Sequence, residues 1–272
     1  MRNLHRGFYN PFALVYLLFR VLTRFLLGKK RRNAILRTLH WETIYEFLDW
    51  MRLPEHLVES FMVKEVKLRV KRKYLRHEPE VSSLLTTLRG RVFIDVGANV
   101  GYYAFLLHNN FELIIAVEPH PKNVQIIQRV KEKYGYHKVN ILPRAVSNKD
   151  GETRLYLGSH CGGHGLLNVF PYSPQEHRHI IQRLKPTFLP VHAVTLNTLL
   201  QTVESVDLVK VDVEGAEWKV LEGANKVRHK IKSWLIELHD LTRKTELEDL
   251  MKSFDYKAKW VDFRHLYLWK TS

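Results

Sequence analysis

The sequence predicts a mostly parallel, doubly wound α/β sheet of Rossmann-like type, preceded by an amino-terminal helical and basic extension. Three observations predict it. The apolar run Val92 to Val96 carries Asp95 and breaks into Gly97-Ala98-Asn99-Val100-Gly101, a buried strand entering a glycine turn and a helix. Glu118 ends the next apolar run about twenty residues on, where such sheets place the acid that accepts ribose hydroxyls. From there short apolar segments alternate with helical patterns, which implies strands buried between two layers of helices.

Taken in order, the chain first shows an apolar run from Pro11 to Leu27, interrupted at Arg20 and followed by Lys29-Lys30-Arg31-Arg32. Its uninterrupted part is shorter than the ~20 residues a membrane span needs, and it lacks the cleavage site of a signal peptide. On a helical wheel it has a wide apolar face and a narrow basic stripe. Two readings fit residues 11–32: an interfacial helix held by anionic lipid, or a helix docked on the catalytic domain or a second subunit. Trp41 to Trp50 and Glu55 to Phe61 have helical spacing on either side of Pro54. Lys64 to Tyr74 alternates, with Val66, Leu68 and Val70 opposite Lys67, Arg69 and Lys71, and reads as a half-exposed edge strand. Residues 1–90 therefore read as the extension, and 91–272 as the cofactor-binding domain.

In that domain, strands are expected at Val92 to Val96, Leu113 to Val117, Val139 to Pro143, Leu208 to Val211 and Trp234 to Leu238. Helices are expected at Gly101 to His108, Lys122 to Tyr134, Glu217 to Gly223 and Thr245 to Ser253, with a closing hairpin in Tyr256 to Trp269. Ligands in such sheets bind at the carboxyl ends of the strands. The acids of the pattern lie at those ends.

Charge narrows the partners. The net charge is +15; residues 1–90 hold 18 Lys/Arg against 8 Asp/Glu, and residues 91–272 hold 25 against 20. Such a field favours an anionic surface, either phospholipid or nucleic acid. Cys161 is the single cysteine, which excludes an intrachain disulfide and a four-thiolate metal site. A reducing cytoplasm, with peripheral placement at the inner membrane face as an extension of the lipid reading, is the expected location.

The turn also selects a cofactor. A dinucleotide fingerprint, GxGxxG, has a glycine where this chain has Asn99. The acid just before the turn, Asp95, would repel a pyrophosphate but suits the ammonium and sulfonium of S-adenosylmethionine. Glu118 would take its ribose hydroxyls.

Chemistry is expected at Lys210-Val211-Asp212-Val213-Glu214-Gly215-Ala216-Glu217 and at Glu237-Leu238-His239. Asp212 would sit near the transferable methyl group. Crowded carboxylates raise one another's pKa, so one of them can act as a base near neutrality. Glu214 and Glu217 read alternatively as helix caps. His239 shares a strand face with Glu237 and is a natural proton acceptor, or else a structural histidine. No metal centre is expected: His160, Cys161 and His164 lie in a glycine-rich stretch, residues 158–168, that lacks an acidic partner. That stretch reads as a lid, and the basic, aromatic residues 170–186 as the acceptor-recognition segment.

Together these segments resemble the FkbM-type family of S-adenosylmethionine-dependent methyltransferases, over roughly Gly90 to His239. The resemblance rests on Ile94 to Tyr103, Val117-Glu118-Pro119, Arg144-Ala145-Val146-Ser147 before Asp150-Gly151, Val194-Thr195-Leu196, Lys210 to Glu217 and Glu237 to His239. It implies a class I methyltransferase fold and methyl transfer to a hydroxyl oxygen of a sugar, glycolipid or other small metabolite. It further implies that Asp95, Gly97, Ala98, Asn99, Gly101, Glu118, Pro119, Ala145 and Asp212 bind the cofactor, and that Asp212, Glu214 and His239 are catalytic. Asn197 stands where the family usually has an aspartate, and reads as a loop or cap residue. Two other classes stay open. A ribose methyltransferase acting on RNA fits the charge, whereas an amine-directed nucleic-acid enzyme would need the Pro-Pro-aromatic segment that is missing after Asp212. A catalytically silent cofactor-binding protein is the third.

Overall fold

Strand β1, Gly90–Val96, is the axis of the molecule: its last four residues are buried on both faces. A computed structural model of the chain describes residues 55–73, 78–157 and 188–270. The chain divides into two compact units, Met1–Arg52 and Leu53–Ser272, and all described residues belong to the second. The readings of residues 11–32, Trp41 to Trp50, 158–168 and 170–186 lie outside the described residues.

To one side of β1 lie β2 (Phe111–Val117) and β3 (Val139–Leu142). To the other, past the small strands β4 (Ala145–Val146), β5 (Gly151–Tyr156) and β6 (Phe188–Val194), lie β7 (Leu208–Val211), β8 (Ser233–Glu237), β9 (Lys257–Trp260) and β10 (His265–Trp269). The large sheet has the order β3-β2-β1-β7-β8-β10-β9, parallel from β3 to β8, with the antiparallel closing hairpin at one end. The chain leaves β1 in one direction and returns beside it at β7. That reversal opens a crevice between the carboxyl ends of β1 and β7.

The five expected core strands are found within two residues of their predicted ends. Their apolar runs are continuous because both faces are covered; all four residues of β7 are buried, and Trp234 of β8 is sealed from solvent. The sequence reading missed the small sheet β4-β6-β5. Its strands are short or half-exposed, and β6 carries Pro190 and His192, so the apolar signal is weak.

Helix α1, Glu55–Arg72, overturns the expected edge strand at Lys64 to Tyr74. Val58, Met62, Val66 and Val70 recur every four residues and are buried, together with Val63, whereas Leu68 is 45% exposed. A strand would have put Leu68 on the same side as Val66 and Val70; the helix turns it out. Helix α2, Pro79–Thr87, opens with proline at its first turn, a position that needs no amide donor. Helix α3 (Tyr102–Leu106) follows the β1 turn, and α4 (Pro121–Tyr134) ends on Gly135 in the left-handed conformation. Helix α1 packs on α3 and α4, and Lys67 Nζ donates to Tyr136 Oη at 3.1 Å. Helices α5 (Leu196–Leu199), α6 (Glu217–Glu222) and α7 (Lys244–Lys252) follow. Asn197, in α5, links loop segments: its Oδ1 accepts the Lys226 amide at 3.0 Å and its Nδ2 donates to Asn225 at 2.8 Å. No helix among the described residues is long and apolar enough to cross a membrane.

Candidate active site

The turn after β1 is built by glycine where nothing else fits. Gly97 has φ +79°, and a Cβ there would lie 1.8 Å from the carbonyl oxygen of Asp212. Without a side chain the β1 and β7 mouths close on each other. The amides of Gly97 and Ala98 both donate to the Val117 carbonyl, at 3.0 and 3.1 Å, which ties the turn to β2. Asn99 is also left-handed (φ 51°) and its amide donates to Glu118 Oε2 at 2.9 Å. Gly101, φ +80°, then opens α3.

Glu118 is therefore the hub of this turn as well as its expected ribose acceptor. Its Oε1 accepts the His120 amide at 2.9 Å and Asn123 Nδ2 at 3.3 Å, across Pro119. Each carboxylate oxygen has two lone pairs, so Oε2 keeps one for a ligand hydroxyl. Burial pushes the Glu118 carboxyl up to about 7, against the opposing bonds from His120, Asn99 and Asn123.

Asp95 is 1% exposed. Neither of its oxygens meets a hydrogen-bond donor in good geometry among the described residues. Burial pushes it up to about 6, with the Lys210 ammonium and the Ala104 amide opposing and Asp212 adding to the rise. A buried carboxylate so poorly satisfied costs free energy unless a ligand supplies a further donor.

Register places the next groups. Asp95 lies opposite Lys210, Lys210 opposite Leu235, and Glu237 opposite His265, so their side chains share one sheet face. Lys210, 2% exposed, donates to Asp212 Oδ2 at 2.9 Å and lies over the Tyr103 ring. Tyr103 donates its hydroxyl to Glu78, the residue before α2. Burial works to raise Asp212, and Lys210 and the His239 imidazolium outweigh it, holding the carboxyl at about 2. Beyond β8, His239 Nδ1 lies 2.7 Å from Glu217 Oε1 and Nε2 lies 3.2 Å from Glu214 Oε2. Glu217 also accepts the Gly215 amide at 2.8 Å, which ties the turn before α6 to its first residue, while no side chain caps that helix.

This geometry gives His239 two carboxylate partners. Burial alone would lower its pKa, yet its bonds to Glu214 and Glu217, with Glu237 and Asp212 nearby, push it up to about 12. Carboxylates flank both of its nitrogens and favour the protonated imidazolium. Glu214, raised by burial and with its side chain 31% exposed, is the carboxylate open to a hydroxyl.

The structure thus brings Asp95, Gly97, Ala98, Asn99, Gly101, Glu118 and Pro119 to the first two strand ends, and Asp212, Glu214 and His239 to the next two. Ala145, in β4, packs with Leu155, Ala193 and Ala216 in the core of the small sheet. Lys210, Tyr103, Glu78 and His265 were given no site role by sequence reasoning, and Glu217 was expected only as one of the crowded carboxylates or as a cap. Lys210 had a signal, a lone cation within a buried apolar strand; Glu78 and His265 had none, because only the strand register brings them near.

The methyltransferase FkbM domain matches residues 95–258, more than half of the chain. The chain belongs to the FkbM methyltransferase family. With the sheet order above, this is a class I methyltransferase fold. Solved structures similar to this FkbM-family chain include the FkbM methyltransferase of Methylobacillus flagellatus (18% identity, TM-score 0.43, 66% of this chain and 44% of that one). Others are TrmK of M. capricolum with S-adenosylhomocysteine (13%, 0.38, 69% and 64%) and a precorrin-6y C5,15-methyltransferase of Geobacter metallireducens (12%, 0.41, 71% and 89%). The chain spans less than half the length of the Methylobacillus structure and under two thirds of TrmK. No curated protein matches it.

The family implies an S-adenosylmethionine-type cofactor, and the residues fit one. The poorly satisfied Asp95 carboxylate and the buried Glu118 offer acceptors to a cationic, hydroxyl-bearing nucleoside.

Proposed function

We propose that this chain is an S-adenosylmethionine-dependent methyltransferase that methylates a hydroxyl oxygen of a sugar, glycolipid or other small metabolite. The observation that carries the proposal is the pairing of two acidic sites along one crevice: Asp95 and Glu118, both nearly sealed from solvent, and the more open Asp212 and Glu214 beside them. The first pair suits the cofactor's cation and ribose; the second suits an acceptor that loses a proton.

The cofactor, when bound, supplies an electrophilic methyl group. The remaining work falls to the chain. Glu118 takes ribose hydroxyls and fixes the Asn99 turn. Asp95 supplies the acceptor for the ammonium. Lys210 pins Asp212 at 2.9 Å. Glu214 takes the proton from the acceptor hydroxyl, and His239, held cationic by Glu217, keeps Glu214 in place. Positioning of the acceptor oxygen in line with the methyl carbon provides most of the acceleration.

A ribose hydroxyl of RNA is the second reading, favoured by the net charge of +15. Incubation of the full chain with methyl-labelled S-adenosylmethionine and separated lipid, glycan and RNA fractions tests both. Label in a base-labile or RNA-only product argues against the first reading. Label in a stable ether of a glycan or lipid supports it, and no transfer to any fraction leaves the silent binding protein.

A further inference from the structure

A second cluster lies on the same sheet face, and the proposed methyl transfer does not use it. Glu78, before α2, Glu237, at the end of β8, and His265, at the start of β10, converge so that one ligand atom from each lies within 4.8 Å of the others. His265 is 3% exposed. Its Nδ1 is held by Asp262, 3.0 Å from Oδ1 and 2.8 Å from Oδ2, while its Nε2 makes no hydrogen bond among the described residues. That nitrogen faces Glu237 Oε2 at 3.5 Å.

The separation is informative. It is long for a hydrogen bond and within reach of an ion pair, and it also matches two donors on one tetrahedral ion, which with bonds of about 2.0–2.2 Å lie about 3.3–3.6 Å apart. A carboxylate on the far nitrogen is the usual support of a metal-bound imidazole, since it fixes the ring and its tautomer. Asp262 stands in that place, anchored by the amides of Arg264 and His265, both at 2.8 Å. Competing cations are close: Arg264 Nη1 and His239 Nε2 each lie 3.7 Å from Glu237 Oε1. Both of these distances are to Oε1, and Oε2 is the oxygen that faces His265.

We propose that Glu78, Glu237 and His265 bind a divalent transition-metal cation of the zinc and manganese class. One imidazole with two carboxylates suits such ions better than magnesium or calcium, which prefer all-oxygen sets. The ion fastens the segment before α2 to β8 and β10. Tyr103, which donates to Glu78, connects that fastening to the helix after the glycine turn.

The test uses the full chain, stripped with chelator and free of cofactor and acceptor, so its outcome is separate from any failure of the methyl-transfer reading. Mn²⁺ is titrated with detection of the free ion's electron paramagnetic resonance signal, Zn²⁺ is titrated by calorimetry, and the thermal midpoint is followed. The expected result is one ion per chain and a raised midpoint. His265→Ala should abolish both, and Asp262→Asn, which keeps all three ligands, should weaken affinity about 10–100-fold. Glu214→Gln should leave binding unchanged. The proposal is overturned by no stoichiometric binding, by binding that survives His265→Ala, or by binding that Glu214→Gln removes, which would place the ion at Asp212, Glu214 and His239. If His265→Ala does not fold, Asp262→Asn decides: unchanged affinity overturns the site.

Discussion

Glu217 Oε1 and His239 Nδ1 lie 2.7 Å apart with both side chains almost sealed from solvent, and this contact joins that of Glu214 in raising the pKa of the imidazole against its burial. Together the two carboxylates favour the imidazolium form of His239. Because its folded pKa is raised, His239 contributes stability that is fully present below its ordinary value of 6.5 and declines as pH climbs towards about 12.

The first prediction concerns this pair. In nuclear magnetic resonance titrations the His239 ring should stay protonated from about pH 6 to 9. Glu217→Gln keeps the shape but removes a charge, so the ring should begin to titrate in that range and stability to urea should drop by about 1–3 kcal/mol. A wild-type His239 that titrates near 6.5 would contradict the double ion pair.

Cofactor binding should depend on pH through Glu118. A ligand hydroxyl donates best to the ionised carboxylate, whose pKa burial raises to about 7. Affinity for S-adenosylhomocysteine should therefore rise up to about 10-fold between pH 6 and 8. Glu118→Gln should bind more weakly and lose the slope. Calorimetry across buffers with different ionisation heats reads the accompanying proton release.

Asp95 trades stability for binding. Its pKa rises from 3.8 to about 6 on folding, so the folded state binds more protons than the unfolded state in that window and stability falls as pH rises through it. Above about pH 6 the cost is on the order of 1–3 kcal/mol, softened by Lys210. Asp95→Asn should then melt higher than wild type at neutral pH and bind the cofactor less well. A lower melting temperature would show that Asp95 is a structural anchor.

The core strands were legible because burial on both faces leaves continuous apolar runs, as in Leu208–Val211, and because Gly97 and Gly101 mark where the backbone must turn left-handed. Glu118 was legible by distance along the chain from the turn. The small sheet was not, since β4 has two residues and β5 and β6 alternate with exposed positions. Nor was the buried charge network, which depends on lateral register: nothing local couples Asp95 to Lys210 or Glu237 to His265 until the strands are aligned. The place of His239 just past β8 was legible, and its carboxylate partners were not, because Glu214 and Glu217 come from the segment across the mouth.

Helix α1 gives the sharpest check on packing. Val66 and Leu68 are two residues apart and would share a face in a strand; in α1, Val66 is 2% exposed and Leu68 45%. Removing buried methyls costs transfer energy plus a cavity, whereas a surface leucine has little to lose. Val66→Ala should therefore destabilise the chain by about 1–3 kcal/mol, and Leu68→Ala should stay within about 0.5 kcal/mol of wild type, read from urea midpoints. Equal losses at both positions would favour the strand that the alternation of Val66, Leu68 and Val70 suggested. A loss confined to Val66 fits a helix whose buried edge packs on α3 and α4, behind the turn that carries Asn99.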